Sequence, residues 1–411
     1  MNSVQADDPL SGHSSQRLLG LAHLMRAAFR GEDLKPLAQV LMERAARDEH
    51  DAEALFDLST ILQLQGIREV GLATFELALQ IKRVIELPAS RPPSLRLLAL
   101  MAPGDLMVNA PLPFLFEDSD ISLTMLYLVP GEPLPEHLPE HDVAFVAIGE
   151  TAQTHELLEQ LAAGINSWSK PLLIRPERIM LTSRPSTYEL LKDTPGICVA
   201  QTAQASRVQL QEMLAGEWRL EQLPSGLAYP LIIRPLDSHA GHGLEKVDDA
   251  AALAAYLSGQ TVDEFFVSRF IDYSGADGWF RKYRVVLIDG VPYAGHMGVS
   301  RHWMIHYLNA GMTQSADKRA EEEQFMRDFD SDFAPAHAAA LRTLHERFGM
   351  EYLVIDCAQT QEGDLLVFEV DPGAVVHAMD PDEMFPYKRP AMRKIFAAFR
   401  ALLQRAAQAA N

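Results

Sequence analysis

The chain has 411 residues, of which 48% are apolar and 22% charged, and its net charge is −20. This size and balance predict a globular protein of roughly two to four domains. So negative a charge, with no offsetting Lys/Arg cluster, excludes a nucleic-acid-binding surface and disfavours anionic membranes. No apolar run is long enough to span a membrane, and the polar start lacks the features of a signal peptide. Cys198 and Cys357 lie far apart in apolar surroundings, so we expect buried thiols and a reducing, cytoplasmic compartment.

The first predicted region is helical from Ser15 to about Glu86, and we assign residues 1–90 to it. Within it, Asp51–Arg83 resembles one tetratricopeptide unit. The positions that match its packing residues and turn glycine are Leu58, Gly66, Ala78 and Leu79. One such unit cannot bury its own face, so flanking helices must pack on it. The region is interpreted either as a groove for a peptide or protein partner, or as a helical cap or dimerisation element of a homo-oligomer.

Strands alternate with helices after the linker Leu87–Pro93, over residues 93–205. The predicted strands are Leu95–Met101, Ser122–Val129, His141–Ile148 and Lys170–Ile174, with a helix at Gln153–Gly164. This alternation predicts a parallel sheet with helices on its faces, that is, a Rossmann-like α/β domain. Such sheets bind ligands in the loops that follow their strands, which here include Asn109–Phe114.

The pattern changes again over residues 206–411 and predicts an α+β arrangement. The elements expected in order are a helix at Arg207–Gly216, a strand at Leu231–Ile233, a helix opened by Asp248 or Asp249, a strand at Phe265–Ile271, and strands Phe280–Asp289 and Val291–Val299. The Asp289–Gly290 turn between the last two strands is a strong hairpin signal. Ala320–Met350 is expected to be mostly helical.

A phosphate site is predicted around the strand that ends at Arg234. A cation at this position can reach a phosphate, and the loop Asp237–Gly243 follows directly. Gly241 and Gly243 allow backbone amides to approach phosphate oxygens. Ser238 and His239 add side-chain donors to the same loop.

A carboxylate cluster is predicted on the hairpin formed by Leu353–Ala358 and Leu365–Val370. If its turn centres on Glu362–Gly363, Asp356 lies opposite Glu369, and Asp371 shares their face. Three carboxylates so close repel one another unless a cation lies among them, and Mg²⁺ or Mn²⁺ prefers such all-oxygen sites. The alternative is a surface hairpin with unrelated acids.

In this order, Arg234, the glycine loop and the carboxylate hairpin resemble the ATP-grasp ligases, the group that contains glutathione synthetase and D-alanine–D-alanine ligase. The resemblance covers about Pro93–Leu403. It implies a pre-ATP-grasp α/β domain and a two-lobed ATP-grasp domain, with lobes at about 206–265 and 266–411. It also implies ATP as the cofactor and a reaction through an acyl phosphate, in which a carboxylate attacks the γ-phosphate and an amine then displaces phosphate.

The resemblance assigns nucleotide contacts to particular residues. Arg234 stands where the family has a phosphate-contacting Lys, and Ser238–Gly243 takes the place of the flexible glycine loop. The family's adenine-facing stretch corresponds to Arg269, Phe270 and Ile271, with Asp272 as a candidate for the ribose hydroxyls. The family's closing motif, Asp and then Glu-x-Asn, corresponds to Asp356, Glu369 and Asp371 as metal ligands, and Asp371 replaces the Asn.

The resemblance also implies an arginine on the hairpin strand that stabilises the acyl phosphate. Arg284 is the first candidate and Lys282, on the same face, is the second. Arg281 is the third and points to the opposite face. The alternative is a solvated basic face.

Substrate contacts are expected from two further places. His302, His306 and Asn309 crowd together after the hairpin, where they form either a nucleotide or substrate wall or part of an ordinary core. His377, six residues after Asp371, is either a substrate-binding residue or general base or a structural histidine.

The sequence therefore predicts an ATP-dependent carboxylate–amine ligase that acts on small-molecule or peptide substrates. The alternative is a catalytically inactive ATP-binding scaffold or peptide-recruitment protein.

Overall fold

The structure of the protein, a computed structural model, describes residues 18–165, 168–216, 227–236 and 241–409. Three β-sheets are arranged along the chain, the first preceded by helices. The protein is therefore a mixed α/β and α+β structure. Among the described residues, no helix combines the length and apolar character needed to cross a membrane.

The described chain opens with helices Leu21–Phe29 (α1), Lys35–Arg47 (α2), Ala52–Leu64 (α3) and Arg68–Ile81 (α4). Asp51 caps α3 by accepting a hydrogen bond from the Ala54 amide at 2.9 Å. Gly66 adopts a left-handed φ of +79° in the turn between α3 and α4, as a turn glycine is expected to. The assignment of α3 and α4 to the tetratricopeptide repeat stays a prediction.

The helical region was expected to continue to about Glu86, followed by a linker from Leu87, but Val84–Leu87 forms a strand (β1). Ile85 is fully buried and its neighbour Glu86 is exposed, which is the period-2 pattern of a strand at a sheet edge. This strand lies within the range 1–90 assigned to the helical region, yet it pairs with the α/β sheet. Helices and sheet also share one core, because the rings of Phe56 and Phe75 contact Tyr127.

The first sheet has the order β1-β3-β2-β4-β5. Its other strands are Leu95–Met101 (β2), Ile121–Tyr127 (β3), Val143–Val146 (β4) and Leu172–Leu173 (β5). β2 runs parallel to β3 and β4, and β4 runs parallel to β5, which confirms the predicted parallel sheet. The chain then continues through helices His155–Gly164 (α5), Pro176–Ile179 (α6) and Arg184–Leu191 (α7) and the short strand Ile197–Val199 (β6).

The second sheet is antiparallel, with the order β7-β10-β8-β9. Its elements are Thr202–Ser206 (β7), Arg207–Ala215 (α8), Leu231–Pro235 (β8), Glu245–Val247 (β9), Ala250–Gly259 (α9) and Glu264–Arg269 (β10). Asp249 caps α9 by accepting a hydrogen bond from the Ala252 amide at 2.8 Å. This small lobe has a separate hydrophobic core around Ile233, Leu253 and Phe265.

The third sheet has the order β12-β11-β13-β14-β6. Its region contains Phe280–Ile288 (β11), Val291–Ser300 (β12), Ala316–Asp328 (α10), Phe333–Ala336 (α11), Ala338–Phe348 (α12), Tyr352–Gln359 (β13), Leu365–Asp371 (β14) and Lys388–Gln408 (α13). The β11–β12 turn has positive φ at both Asp289 (48°) and Gly290 (76°), as a tight hairpin requires, and the predicted hairpin is confirmed.

The first and third sheets belong to one large hydrophobic core. The rings of Phe145 on β4, Tyr352 on β13 and Phe399 on α13 meet at centroid distances of 5.3–6.3 Å. The third sheet is thus fixed on the first, whereas the small lobe packs around its own core.

Candidate active site

Four polar residues lie opposite one another across four adjacent strands of the third sheet. His296 on β12 is paired with Arg284 on β11. Arg284 is paired in turn with Asp356 on β13, and Asp356 with Glu369 on β14. Directly opposed residues share a face of a sheet, so these four residues form what we call the cross-strand row. The predicted pairing of Asp356 with Glu369 is confirmed.

A β-bulge in β14 makes that pairing possible. Next to the turn the pairs are Gln359–Leu365 and Cys357–Val367, and the register shifts by one residue between Cys357 and Asp356. With a regular ladder, Asp356 would face Phe368 and Glu369 would point to the other side of the sheet.

A second bulge aligns His296 with Arg284. Val285 pairs with Ala294 but Arg284 pairs with His296, so Gly295 is the extra residue. A Cβ atom at Gly295 would lie 2.9 Å from the Arg284 carbonyl oxygen and 3.0 Å from its Cγ. Only glycine therefore allows β12 to pass this close to Arg284.

Asp356 is the buried centre of the cross-strand row, with 5% of its surface exposed. Arg284 donates to it twice, from Nε to Oδ1 at 2.7 Å and from Nη2 to Oδ2 at 2.9 Å. Lys282 Nζ lies 2.8 Å from the same Oδ2. Burial tends to raise the pKa of Asp356, but Arg284 and Lys282 outweigh this and hold the pKa well below its usual range. Asp356 is thus a carboxylate whose two oxygens both face cations.

Arg284 also donates from Nη1 to the Val375 carbonyl at 2.7 Å, which ties β11 to the segment after β14. Arg281, the third catalytic candidate, lies away from this cluster. Its guanidinium contacts Glu321 and, at 2.7 Å, Asp277. The structure therefore brings Arg284 and Lys282 together with Asp356 and does not bring Arg281 there.

The other two predicted metal ligands follow on β14. Glu369 accepts a hydrogen bond from Arg184 Nη2 at 3.0 Å, and 48% of its side chain is exposed. Asp371 accepts from the Gly373 amide at 2.6 Å. Burial, with the nearby Glu369 charge, raises the pKa of Asp371 to about 7.

The donor set suits a hard divalent cation in its chemistry, since Asp356, Glu369 and Asp371 are all carboxylates placed on one face. In the described part of the chain, however, no group of three or more His, Cys, Asp or Glu side chains is arranged to hold a metal ion. Both oxygens of Asp356 contact Arg284 or Lys282. Of the three carboxylates, Glu369 and Asp371 are therefore the ones that would bind a metal ion. The metal site stays a prediction.

A second cationic group faces the row from the small lobe. Arg234 lies on β8, where burial and the charge of Arg184 lower its pKa to about 10, while the charge of Glu369 opposes that shift. Arg184 itself bridges towards β14, because it also donates to the Phe368 carbonyl at 3.2 Å. The charges of Arg184 and Glu369 therefore both act on Arg234.

The glycine loop is described only from Gly241 onwards; Ser238 and His239 lie outside the described residues. Gly241 and Gly243 have φ of +75° and +65°, values that favour glycine. A Cβ at Gly243 would lie 2.8 Å from Pro235 Cδ, which gives this glycine a packing role. One at Gly241 would lie 3.3 Å from Met304 Sδ, so the loop contacts the segment after β12.

That segment contains His302, His306 and Asn309. His302 Nδ1 accepts from the Met304 amide at 3.2 Å, and Asn309 Oδ1 accepts from the His306 amide at 3.0 Å. Burial, Lys282 and Arg284 lower the pKa of His306, which places its ring near those cations. The segment thus lies between the glycine loop and the cross-strand row, and the substrate roles of its residues stay predictions.

The stretch expected at the adenine ring connects the small lobe to the third sheet. Arg269 and Asp272 are exposed. Phe270 lies between Lys246, whose Nζ is 4.7 Å from the ring centroid, and Trp303 at 5.8 Å between centroids. Ile271 packs against the core around Tyr273. The adenine and ribose roles of these residues stay predictions.

His377 lies beyond Arg284, two residues after Val375. Its ring is 5.9 Å from that of Phe29 on α1 and 6.2 Å from the buried Phe114. Nδ1 accepts a hydrogen bond from the Met379 amide at 3.1 Å, and burial lowers the pKa to about 4. A neutral ring with Nδ1 as acceptor carries its proton on Nε2, so the geometry suits a hydrogen-bond donor better than a general base.

Two residues of this site, Arg184 and His296, were not among the sequence candidates. A signal for His296 exists, because the isolated Gly295 in a strand pattern often marks a bulge. No local signal exists for Arg184, whose partner Glu369 is 185 residues away.

No protein-family model and no curated protein matches the chain. Among solved structures, it is similar to a RimK-domain ATP-grasp protein from Sphaerobacter thermophilus DSM 20745 (17% identity, 74% of this chain and 98% of that chain, TM-score 0.43). It is also similar to D-alanine–D-alanine ligase from Bacillus anthracis complexed with ATP (14%, 77% and 99%, TM-score 0.46). A third likeness is to VanG D-Ala:D-Ser ligase from Enterococcus faecalis (12%, 75% and 99%, TM-score 0.45). These likenesses are distant, and the function proposed for this chain depends on its own residues.

Proposed function

We propose that the protein is an ATP-dependent carboxylate–amine ligase that works through an acyl phosphate and releases ADP and phosphate. The observation that carries the proposal is the cross-strand row, in which Arg284 and Asp356 lie between His296 and Glu369 on one face of a sheet. Arg234 and Arg184 add cations at its far end. Phosphoryl transfer depends on such positioning and charge neutralisation more than on covalent help.

In the first step, a substrate carboxylate oxygen attacks the γ-phosphorus, and the bond to the β–γ bridging oxygen breaks to release ADP. Arg234 and the backbone of the glycine loop would hold the phosphates from the small lobe. Arg284 and Lys282 would neutralise charge on the transferring group from the third sheet. When bound at Glu369 and Asp371, Mg²⁺ would add charge neutralisation on the phosphate oxygens.

In the second step, an amine nitrogen attacks the acyl carbon, phosphate leaves and the nitrogen loses a proton. Arg284 would stabilise the acyl-phosphate oxygens, and its two hydrogen bonds to Asp356 support this role because they fix the orientation of the guanidinium. The Nε2–H of His377 is a candidate donor to a substrate carbonyl or carboxylate. Small-molecule or peptide acids and amines are the proposed substrates.

Trapping of the acyl phosphate tests this proposal. The protein is incubated with ATP, Mg²⁺ and a panel of amino acids and short peptides, with hydroxylamine as the nucleophile. We expect acid-dependent ADP release and a hydroxamate of the responding acid, both lost in Arg284→Met. ADP release without hydroxamate would point to hydrolysis and contradict the acyl-phosphate route.

A catalytically inactive ATP-binding scaffold is the second candidate, and one observation favours it. Both oxygens of Asp356 are engaged by Arg284 and Lys282, so this carboxylate is not open to a metal as the structure stands. Tight ATP binding in calorimetry with no acid-dependent ADP release across the panel would support the scaffold.

A further inference from the structure

A cavity of about 60 Å³ lies between the helical region and the carboxyl ends of two neighbouring strands of the first sheet. Met101 ends β2 and Tyr127 ends β3, and these two residues are paired across the parallel strands. Phe56 on α3 and Phe75 on α4 line the cavity from the helical side. Open α/β sheets bind ligands at the carboxyl ends of their strands, so a cavity at this position is a candidate binding site.

The walls are mainly apolar, and most of their polar side chains already serve the protein itself. The lining side chains that hydrogen-bond within the chain are Ser59, Thr60, Gln63, Asp105 and Asn109. Among the described residues of the lining, only Asp105 is charged, and Arg68 pairs with it at 2.8 Å. A charged group of a ligand would therefore lose its water in this cavity without meeting an unpaired charge of opposite sign.

Tyr127 is the exception among the polar side chains of the lining. Only 5% of its surface is exposed, and its ring contacts those of Phe56 and Phe75 at 5.7 and 5.2 Å between centroids. Within the described chain no group hydrogen-bonds to its hydroxyl, and burial alone raises the pKa of that hydroxyl. The oxygen is nevertheless not fully enclosed by protein atoms. It must therefore border open space, and the cavity is the space that Tyr127 lines.

We propose that the cavity binds the apolar end of a small uncharged molecule, which offers one oxygen or nitrogen atom to the Tyr127 hydroxyl. A buried hydroxyl without a partner is costly, so a ligand that supplies the partner gains affinity from it. Water fits this cavity less well, because a buried water needs roughly two to four polar partners and the described side chains of the lining leave one free hydroxyl. A single water needs roughly 10–15 Å³, so the cavity has room for about four to six non-hydrogen atoms.

This site is separate from the proposed ligase chemistry. Of the described residues that line the cavity, none belongs to the cross-strand row or to the glycine loop. Ala110 and Pro111 divide the cavity from a narrow gap beside Pro372 and Val376, in the segment after β14. A ligand would thus contact the loop that lies between the cavity and that segment, and its binding can be measured without catalysis.

Methionine methyl groups can report on binding, because Met101 and Met125 both line the cavity. The full chain, labelled with carbon-13 at its methionine methyls, is titrated with isobutanol, which has a branched apolar end and one hydroxyl. We expect the Met101 and Met125 NMR signals to shift and to saturate with a Kd on the order of 1 mM, as suits so small a ligand. The signals of the exposed Met42 and Met384 should stay unchanged. Isobutylammonium, which has the same shape and a positive charge, should shift none of them.

Variants test the hydroxyl and the space separately. Tyr127→Phe removes the hydroxyl but keeps the ring, and should weaken isobutanol binding roughly 3–10-fold. The matched control is Tyr188→Phe on α7, outside the lining, which should bind isobutanol like the wild type. Leu106→Phe enlarges a side chain of the lining and should abolish binding, while its remaining methionine signals show that the fold is kept.

The ligand-free protein provides a further measurement. Tyr127→Phe should have a Tm equal to or above that of the wild type, because no hydrogen bond within the protein is lost. A lower Tm would mean that the hydroxyl already has a partner, and would overturn the proposal. Shifts that do not saturate, equal shifts with isobutylammonium, or wild-type affinity in Tyr127→Phe or Leu106→Phe would overturn it as well.

Discussion

Arg284 and Asp356 face each other on adjacent strands and share two nearly parallel hydrogen bonds, of 2.7 and 2.9 Å. Asp356 is buried and Arg284 is partly buried, and Lys282 makes a second contact with the same carboxylate. Such a pair is costly to break from either side, because the residue that remains is a buried charge without its partner. The same pair lies at the centre of the candidate active site, so stability and activity must be measured together in its variants.

The first prediction compares two arginines of one strand. Arg284→Met should lower kcat by about 10²–10³-fold, the usual cost of losing one transition-state donor, with little change in ATP affinity. It should also lower the free energy of unfolding by about 3–5 kcal/mol, because Asp356 loses its main partner. Arg284→Lys keeps a charge but loses the planar guanidinium. We expect it to lower the free energy of unfolding less than Arg284→Met does, and also to lower kcat.

Arg281→Met is the matched control, since Arg281 pairs with Asp277 and Glu321 on the opposite face. We expect unchanged kcat and at most about 1 kcal/mol of lost stability. Steady-state ADP release, calorimetric ATP binding and thermal unfolding provide the three readouts. Full kcat in Arg284→Met would remove this residue from the mechanism and pass its role to Lys282.

The second prediction separates two of the carboxylates. Glu369→Gln should abolish Mg²⁺-dependent ATP turnover because it removes charge from the proposed cation site. Asp356→Asn should abolish it because Arg284 loses the carboxylate that orients its guanidinium. Their effects on stability should differ. Asp356 is buried between two cations, so its variant should lose about 3–5 kcal/mol. Glu369 is half-exposed and pairs with Arg184, so its variant should lose no more than about 1 kcal/mol.

Asp277→Asn, at an exposed carboxylate outside the cross-strand row, is the control for both carboxylate variants. ADP release measured over a range of Mg²⁺ concentrations, together with thermal unfolding, gives the comparison. Wild-type turnover of Glu369→Gln at saturating Mg²⁺ would contradict the assignment of β14 to the metal site.

The third prediction concerns the bulge beside Arg284. Gly295→Ala places a Cβ 2.9 Å from the Arg284 carbonyl oxygen, and backbone atoms cannot move aside as a flexible side chain can. We expect β12 to shift, Arg284 to lose its alignment with Asp356, and kcat to fall more than ATP affinity. Gly259→Ala is the control, because its added methyl meets no atom within 4 Å. Equal kcat in the two variants would show that the bulge does not position Arg284.

Much of the fold could be predicted because its signals are local. The Asp289–Gly290 turn predicted a hairpin, and the alternation of helices with apolar runs such as Leu95–Met101 and His141–Ile148 predicted parallel strands. The helical prediction for Val84–Glu86 was wrong because these residues pair with β3, some 40 residues later, and that pairing overrides the helical character of the preceding sequence.

The main residues of the site could be predicted from the sequence, but several of the contacts between them could not. Asp356 and Glu369 were identified from their expected pairing in a hairpin and Arg284 from the family resemblance, and the structure brings the three together. Their alignment depends on two bulges, which a count along a regular ladder does not contain. Arg184 joins the site through a contact across 185 positions, which no local pattern specifies.

The last prediction uses the pKa of His377, which burial lowers from about 6.5 to about 4. Between these two values the unfolded chain binds a proton at this ring and the native protein does not. Protons taken up on unfolding favour the unfolded state, so the contribution of His377 to stability is complete above pH 6.5 and is lost as the pH falls towards 4.

Chemical denaturation of wild type and His377→Gln at pH 7 and at intervals down to pH 4.5 measures this. The wild type should lose on the order of 1–3 kcal/mol more than the variant over that range. His155→Gln supplies the control. His155 is exposed and pairs with Glu150, which raises its pKa in the native protein, so its contribution to stability should grow as the pH falls, opposite to that of His377. Parallel curves for wild type and His377→Gln would mean that the ring is protonated as readily in the native state as in the unfolded chain, and the role of Nε2–H as a donor from a neutral ring would have to be abandoned.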